Sequence, residues 1–108
     1  MTLTNYLNYI ITLTIMITLN SNGNTTRDIT QGGNYFLDVN GTFSSGTVAV
    51  QISLDAGTTY VPLTTAVGTD LAVNADYNAV ITLPKSKIKF VLTGASSPDL
   101  KIHLVEID

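Results

Sequence analysis

Residues Thr47 to Leu63 constrain the fold more than any other stretch, because they read as strand, tight turn and strand. Val48, Val50, Ile52 and Leu54 alternate with Ala49, Gln51 and Ser53, the period of two that sends successive side chains to opposite faces. Asp55-Ala56-Gly57-Thr58-Thr59 then breaks the alternation with turn-forming residues, and Tyr60-Val61 resumes an extended run. Asp55 can accept backbone N–H bonds inside such a turn. Gly57 can take a positive φ that a residue with a side chain resists.

The same period recurs along the chain. Ile11, Leu13, Ile15, Ile17 and Leu19 alternate with Thr12, Thr14, Met16 and Thr18. Met1 to Leu19 carries no charged side chain, but the apolar part from Tyr9 is well short of the roughly 20 residues a spanning helix needs. The first basic residue is Arg27, so the basic start of a secretory leader is missing. A β-strand is therefore expected at Ile11–Leu19, with residues 1–8 as a flexible arm or lead-in. Further strands are expected at Thr25–Ile29, Tyr35–Asn40, Tyr77–Leu83 (closed by Pro84), Lys87–Thr93 and Leu100–Ile107, separated by turn clusters. Thr64–Ala75 reads either as a long loop or as a loop with a short strand near Leu71–Val73. In the last strand, Leu100, Ile102, Leu104 and Glu106 oppose Lys101, His103, Val105 and Ile107, so both faces look mixed.

No segment holds a helical apolar period over a helix's length. With 108 residues and no linker, the expectation is one all-β domain spanning residues 1–108. It is a single antiparallel β-sandwich or jelly-roll-like barrel of about seven or eight short strands. Charged residues make up 12% of the chain, about half the usual share, and Thr, Asn and Ser supply the polarity. A net charge of −3 argues against a general nucleic-acid or anionic-membrane binder. The absence of cysteine excludes disulfides and thiolate metal sites within the chain.

Chemistry-bearing motifs are few. Ser53-x-Asp55-x-Gly57-x-Thr59-Tyr60 fits the Asp-box pattern, with Tyr where Trp is usual. In sialidase-like propellers that box recurs once per blade, and 108 residues cannot make a propeller. The expected role is a hairpin turn tied by Ser53, Asp55, Gly57 and Thr59. His103 is the sole histidine, and no nucleophile motif accompanies it, so neither a catalytic triad nor a multi-histidine metal site is expected. Asp38, Asp55, Asp70, Asp76 and Asp99 fall in or near turns, where Asp is favoured. Asp70 and Asp76 lack any EF-hand-like calcium spacing. No enzyme activity and no cofactor is expected. Asn24-Thr25-Thr26 and Asn40-Gly41-Thr42 match the glycosylation sequon, a weak signal in an Asn- and Thr-rich chain.

Lys85, Lys87 and Lys89 share one face of an extended segment, with Ser86, Ile88 and Phe90 on the other. Three like charges repel unless something acidic meets them. They serve either as a solvated face that discourages edge-to-edge pairing or as a contact for an acidic partner.

The run from Gly41 to Ile107 resembles small β-sandwich structural proteins of tailed bacteriophages. The resemblance rests on Gly41-Thr42-Phe43-Ser44-Ser45-Gly46-Thr47-Val48-Ala49-Val50-Gln51 and the Asp55–Tyr60 turn. It continues through Leu83-Pro84, Lys87–Leu92, Thr93-Gly94-Ala95 and Lys101–Ile107, about two-thirds of the chain. It implies a capsid decoration, or cement, protein on the outer surface of a virion. Such a protein works as a homo-oligomer (dimer or trimer) bound to the major capsid protein or another virion protein. On that reading Ile11, Leu13, Ile15 and Ile17 pair with a neighbouring subunit or cover the sandwich edge, while Lys85, Lys87 and Lys89 meet an acidic shell. The alternative is a carbohydrate-binding module of a phage tail or fibre, with Tyr6, Tyr9, Tyr35, Tyr60 and Tyr77 as its aromatic platform. A small hydrolase has the weakest case.

Overall fold

The computed structural model describes residues 13–65 and 67–107. They form nine strands: β1 (Thr14–Leu19), β2 (Gly23–Ile29), β3 (Gly33–Thr42), β4 (Thr47–Ser53), β5 (Val61–Pro62), β6 (Ala72–Val73), β7 (Tyr77–Leu83), β8 (Ser86–Thr93) and β9 (Asp99–Glu106). Every pairing is antiparallel. The pairings nest: β4 pairs with β5 and β6, β3 with β7, β2 with β8, and β1 with β9. The chain is thus one long hairpin whose tip is the turn after Ser53. Rolling that hairpin up adds the β3–β9 and β4–β8 ladders and yields two sheets, ordered β1-β9-β3-β7 and β2-β8-β4-β5, with β6 also on β4. This is the strand order of a jelly roll, a sandwich of two sheets with Greek-key connections.

β5 and β6 are two halves of one edge strand. Leu63 N donates to Val50 O (2.9 Å) and Val50 N to Leu71 O (3.0 Å), so both halves dock on the same residue of β4. Between them the chain leaves the edge as a small hairpin. Thr64 bridges Asp70, and Thr65 N donates to Thr69 O (2.7 Å). With those halves counted together, the sandwich has eight strand positions.

Alternation explains the core. Ile15, Ile17 and Leu19 of β1, Tyr35, Leu37 and Val39 of β3, and Leu100, Ile102 and Leu104 of β9 face inward from one sheet. Val48 and Val50 of β4 and Ile88, Phe90 and Leu92 of β8 face them from the other. Burying each such side chain stabilises the fold by about 1.5–3 kcal/mol before chain entropy is counted.

Three local expectations need correction. β1 begins at Thr14, and Ile11, like the expected arm at 1–8, lies outside the described residues. Leu54 does not continue the inward face of Val48 and Val50. The strand ends at Ser53, which is 1% exposed, and Leu54 turns to solvent. β9 is not mixed on both faces: Leu100, Ile102, Leu104 and Glu106 are all buried. Glu106, 8% exposed, is tolerated there because its Oε1 accepts from Leu13 N (3.0 Å) while its own N–H donates to Leu13 O (2.8 Å). That clasp fixes the point where the chain enters β1.

Candidate functional site

The turn at the hairpin tip is closed by side chains four residues apart or fewer. Ser53 Oγ donates to Asp55 Oδ1 (2.7 Å) and accepts from Gly57 N (2.9 Å). Asp55 Oδ1 also accepts from Thr59 N (2.8 Å), and Thr58 N donates to Asp55 O (3.3 Å). Ala56 and Gly57 both have positive φ, 62° and 95°, the geometry of the primed turns that match strand twist. The bonds from Ser53 and then from Thr59 favour the charged carboxylate and hold Asp55 below its ordinary pKa. All four residues act on the backbone of their own turn.

That turn folds toward the lysines of β8. A Cβ built on Gly57 would lie 3.2 Å from Lys87 Cδ. Lys87 Nζ pairs with Asp28 Oδ1 of β2 at 2.6 Å, which raises the lysine's pKa. Lys89 Nζ stands 4.1 Å from the centre of the Tyr60 ring, a cation–π contact. Only Lys85 is exposed and has no partner among the described residues. An open groove of about 470 Å³ runs beside it, bounded by Ile29, Leu54 and Lys87. Of the three lysines, Lys87 alone is neutralised by a carboxylate, so with Lys85 and Lys89 the face presents about two uncompensated charges, where the alternation alone implied three.

The other sequence-derived candidates disperse. Ile15 and Ile17 are core residues of this chain, and Leu13 packs against that core. β1 caps the β9 edge of its sheet with Ile15, Ile17 and Leu19 turned inward, so Ile15 and Ile17 offer a neighbour only a backbone edge. Tyr35 is buried and its hydroxyl donates to Gln31 O. Burial, and then the charge of Glu106, push its pKa up. Tyr77 packs against the core, Tyr60 lies under Lys89, and Tyr6 and Tyr9 fall outside the described residues. The described tyrosines thus share no exposed face. His103 Nδ1 is 3.6 Å from Asp38 Oδ2, and Asp76 Oδ1 accepts from Gly41 N (3.2 Å). Among the described residues, no group of three or more His, Asp or Glu is placed to hold a metal ion.

Register brings together a surface that alternation alone did not reveal. On the outward face of β1-β9-β3-β7, Thr14, Val105, Phe36 and Val80 lie in one row across four strands. Met16 stands in the next row beside His103 and Asp38. Ile107 flanks the other side, where its N–H donates to Asn34 O (3.0 Å). Met16 is 68% exposed, Val80 58% and Ile107 52%, and Phe36 is also exposed. Polar residues border the cluster, including the Lys101–Asp99 pair at 2.9 Å. The signal was present as apolar residues on the non-core parity of four separate strands, but only their register makes one patch.

No protein-family model matches this chain, and no curated protein or solved structure matches it either.

Proposed function

We propose that this chain is a structural protein of a tailed-bacteriophage virion, a decoration protein that binds the major capsid shell and stabilises it. The observation that carries the reading is the outward face of β1-β9-β3-β7, where Met16, Phe36, Val80, Val105 and Ile107 cluster within a polar border. An exposed apolar cluster with a polar rim is the anatomy of a protein–protein interface. The resemblance of Gly41–Ile107 to sandwich proteins of tailed phages supplies the kind of partner, and Lys85 adds a cation for an acidic shell. A protein that binds the assembled shell and not its dissociated subunits stabilises the shell by mass action. The sugar-binding alternative needs a shared exposed aromatic platform, whereas Tyr35 lies in the core, Tyr77 packs against it and Tyr60 lies under Lys89.

Co-sedimentation with empty tailed-phage shells tests the proposal. Each covered Met or Ile side chain contributes about 1.5–3 kcal/mol, so Met16→Lys with Ile107→Lys should weaken loading at least about tenfold. Lys85→Glu should weaken it less. Wild-type protein that stays in the supernatant, or a double variant that loads equally well, refutes the proposal.

A further inference from the structure

Where β2 ends and β8 begins, the two strands meet the turn at the hairpin tip around the open groove of about 470 Å³. In the ladder order β2-β8-β4, Asp28, Lys87 and Ser53 stand in one row. Past that row the turn ends β4 and leaves Leu54, 71% exposed, as part of the groove's wall. Ile29 and Ala56 add apolar surface to it. Lys85 and Lys87 bring two ammonium groups against one carboxylate, that of Asp28, so the lining carries one excess positive charge. The chain as a whole has a net charge of −3. Lys85 is exposed, and among the described residues no carboxylate pairs with it.

A free ammonium beside aliphatic surface suits a carboxylate carried next to an aliphatic group. The contact between Asp28 Oδ1 and Lys87 Nζ at 2.6 Å already shows a carboxylate seated on this rim. Three kinds of ligand could bring such a group. A small molecule is held in a site that buries roughly 70–90% of its surface, which an open groove does not do. A nucleic acid or other polyanion needs a longer run of cations, and it is repelled by a chain of net charge −3. An extended polypeptide lies along an open groove and supplies both groups from neighbouring residues.

We propose that this groove docks an extended segment of another protein in which an acidic residue stands beside a branched aliphatic one. The acidic side chain pairs with Lys85, within reach of the field of Lys87. The aliphatic side chain covers Leu54, Ala56 and Ile29. The groove and the Met16–Phe36 cluster lie on different sheets, so the inference does not rest on the shell reading.

Selection of random hexapeptides on the immobilised full-length protein, with depletion on the Lys85→Glu, Leu54→Glu double variant, tests the proposal without any shell. Enriched sequences should place Asp or Glu next to Leu, Ile or Val. One enriched peptide, labelled and titrated by fluorescence anisotropy, then measures each wall separately. Lys85→Gln should weaken it about two- to fivefold, the range of an exposed ion pair. Leu54→Ser should weaken it about fivefold or more. Both side chains are exposed, so circular dichroism should be unchanged in both variants. Asp28→Asn takes away the carboxylate that neutralises Lys87 and should tighten binding. No enrichment, enrichment of peptides without an acidic residue, or affinity that Lys85→Gln leaves unchanged overturns the proposal. So does an Asp28→Asn variant that binds no tighter than wild type. Binding of octanoate with no peptide enriched would make this a site for small amphipathic anions. A wild-type mass in light scattering that falls from a multiple of the chain mass to one chain in the double variant would put a second copy in the groove. Either result overturns the proposal.

Discussion

Replacing Gly41 with alanine tests whether the long hairpin is rolled up. Gly41 lies opposite Leu100 in the β3–β9 ladder, a contact that exists only because the two arms of the hairpin curl onto each other. Its φ is +124°, and a Cβ built there would stand 2.3 Å from the backbone oxygen of Asp99 and 3.2 Å from the Cα of Leu100. Those obstacles are backbone, so no side chain can rotate away. Strained φ costs about 1–3 kcal/mol. Forcing packed strands apart costs about as much again. A loss of about 2–6 kcal/mol is a large share of the ~5–15 kcal/mol typical of a small domain. In urea, with a slope near ~2 kcal/mol per molar, the midpoint should fall by about 1–3 M. Gly68→Ala is the control: φ is +85° there, but nothing lies within 4 Å, so only the conformational cost of about 1–2 kcal/mol remains. If Gly41→Ala is no worse than Gly68→Ala, β9 does not lie against β3 as described and the rolled topology is wrong.

Other expectations concern the turns. Ser53→Ala removes the acceptor of Gly57 N at a position 1% exposed, and should lower unfolding free energy by about 1–3 kcal/mol in the same assay. An unchanged midpoint would mean that Ser53 does not hold the turn. Asp55 has a folded pKa below its ordinary value of 3.8, so its charged form contributes stability that is full above that value and lost as pH falls through the folded pKa. The stability gap between wild type and Asp55→Asn should therefore narrow on acidification, and a gap that widens would contradict the assigned bonds. Ser45 sits at φ 69° in the turn closed by Gly46 N and Phe43 O, so Ser45→Gly should raise the melting temperature slightly, by relieving about 0.5 kcal/mol net of glycine's own entropy cost. A lower melting temperature would argue against that turn geometry.

Local signals in this sequence were legible because they depend on neighbours along the chain. The two-residue period located the major strands, and the spacing of Ser53, Asp55, Gly57 and Thr59 matches bonds that span at most four residues. Features that depend on register were not legible. Asp28, which neutralises Lys87, is 59 residues away, and Tyr60, which sits under Lys89, belongs to a different strand connection. Leu54 continued the alternation on paper, yet the turn captured Ser53 Oγ and ended the strand one residue earlier. Glu106 made its face of the last strand look mixed, because the partner that satisfies it, Leu13, lies 93 residues away in the chain. The outward apolar patch draws Met16, Phe36, Val80 and Val105 from strands scattered over most of the chain. Each residue alone is unremarkable for a half-exposed strand.

The most direct test of the functional account is an electron cryo-microscopy reconstruction of empty tailed-phage shells after mixing with this protein. The account predicts ordered extra density on the outer shell surface that fits the sandwich, with Met16, Phe36 and Ile107 turned toward the capsid protein. Bare shells, or bound protein with that face turned to solvent, would contradict it.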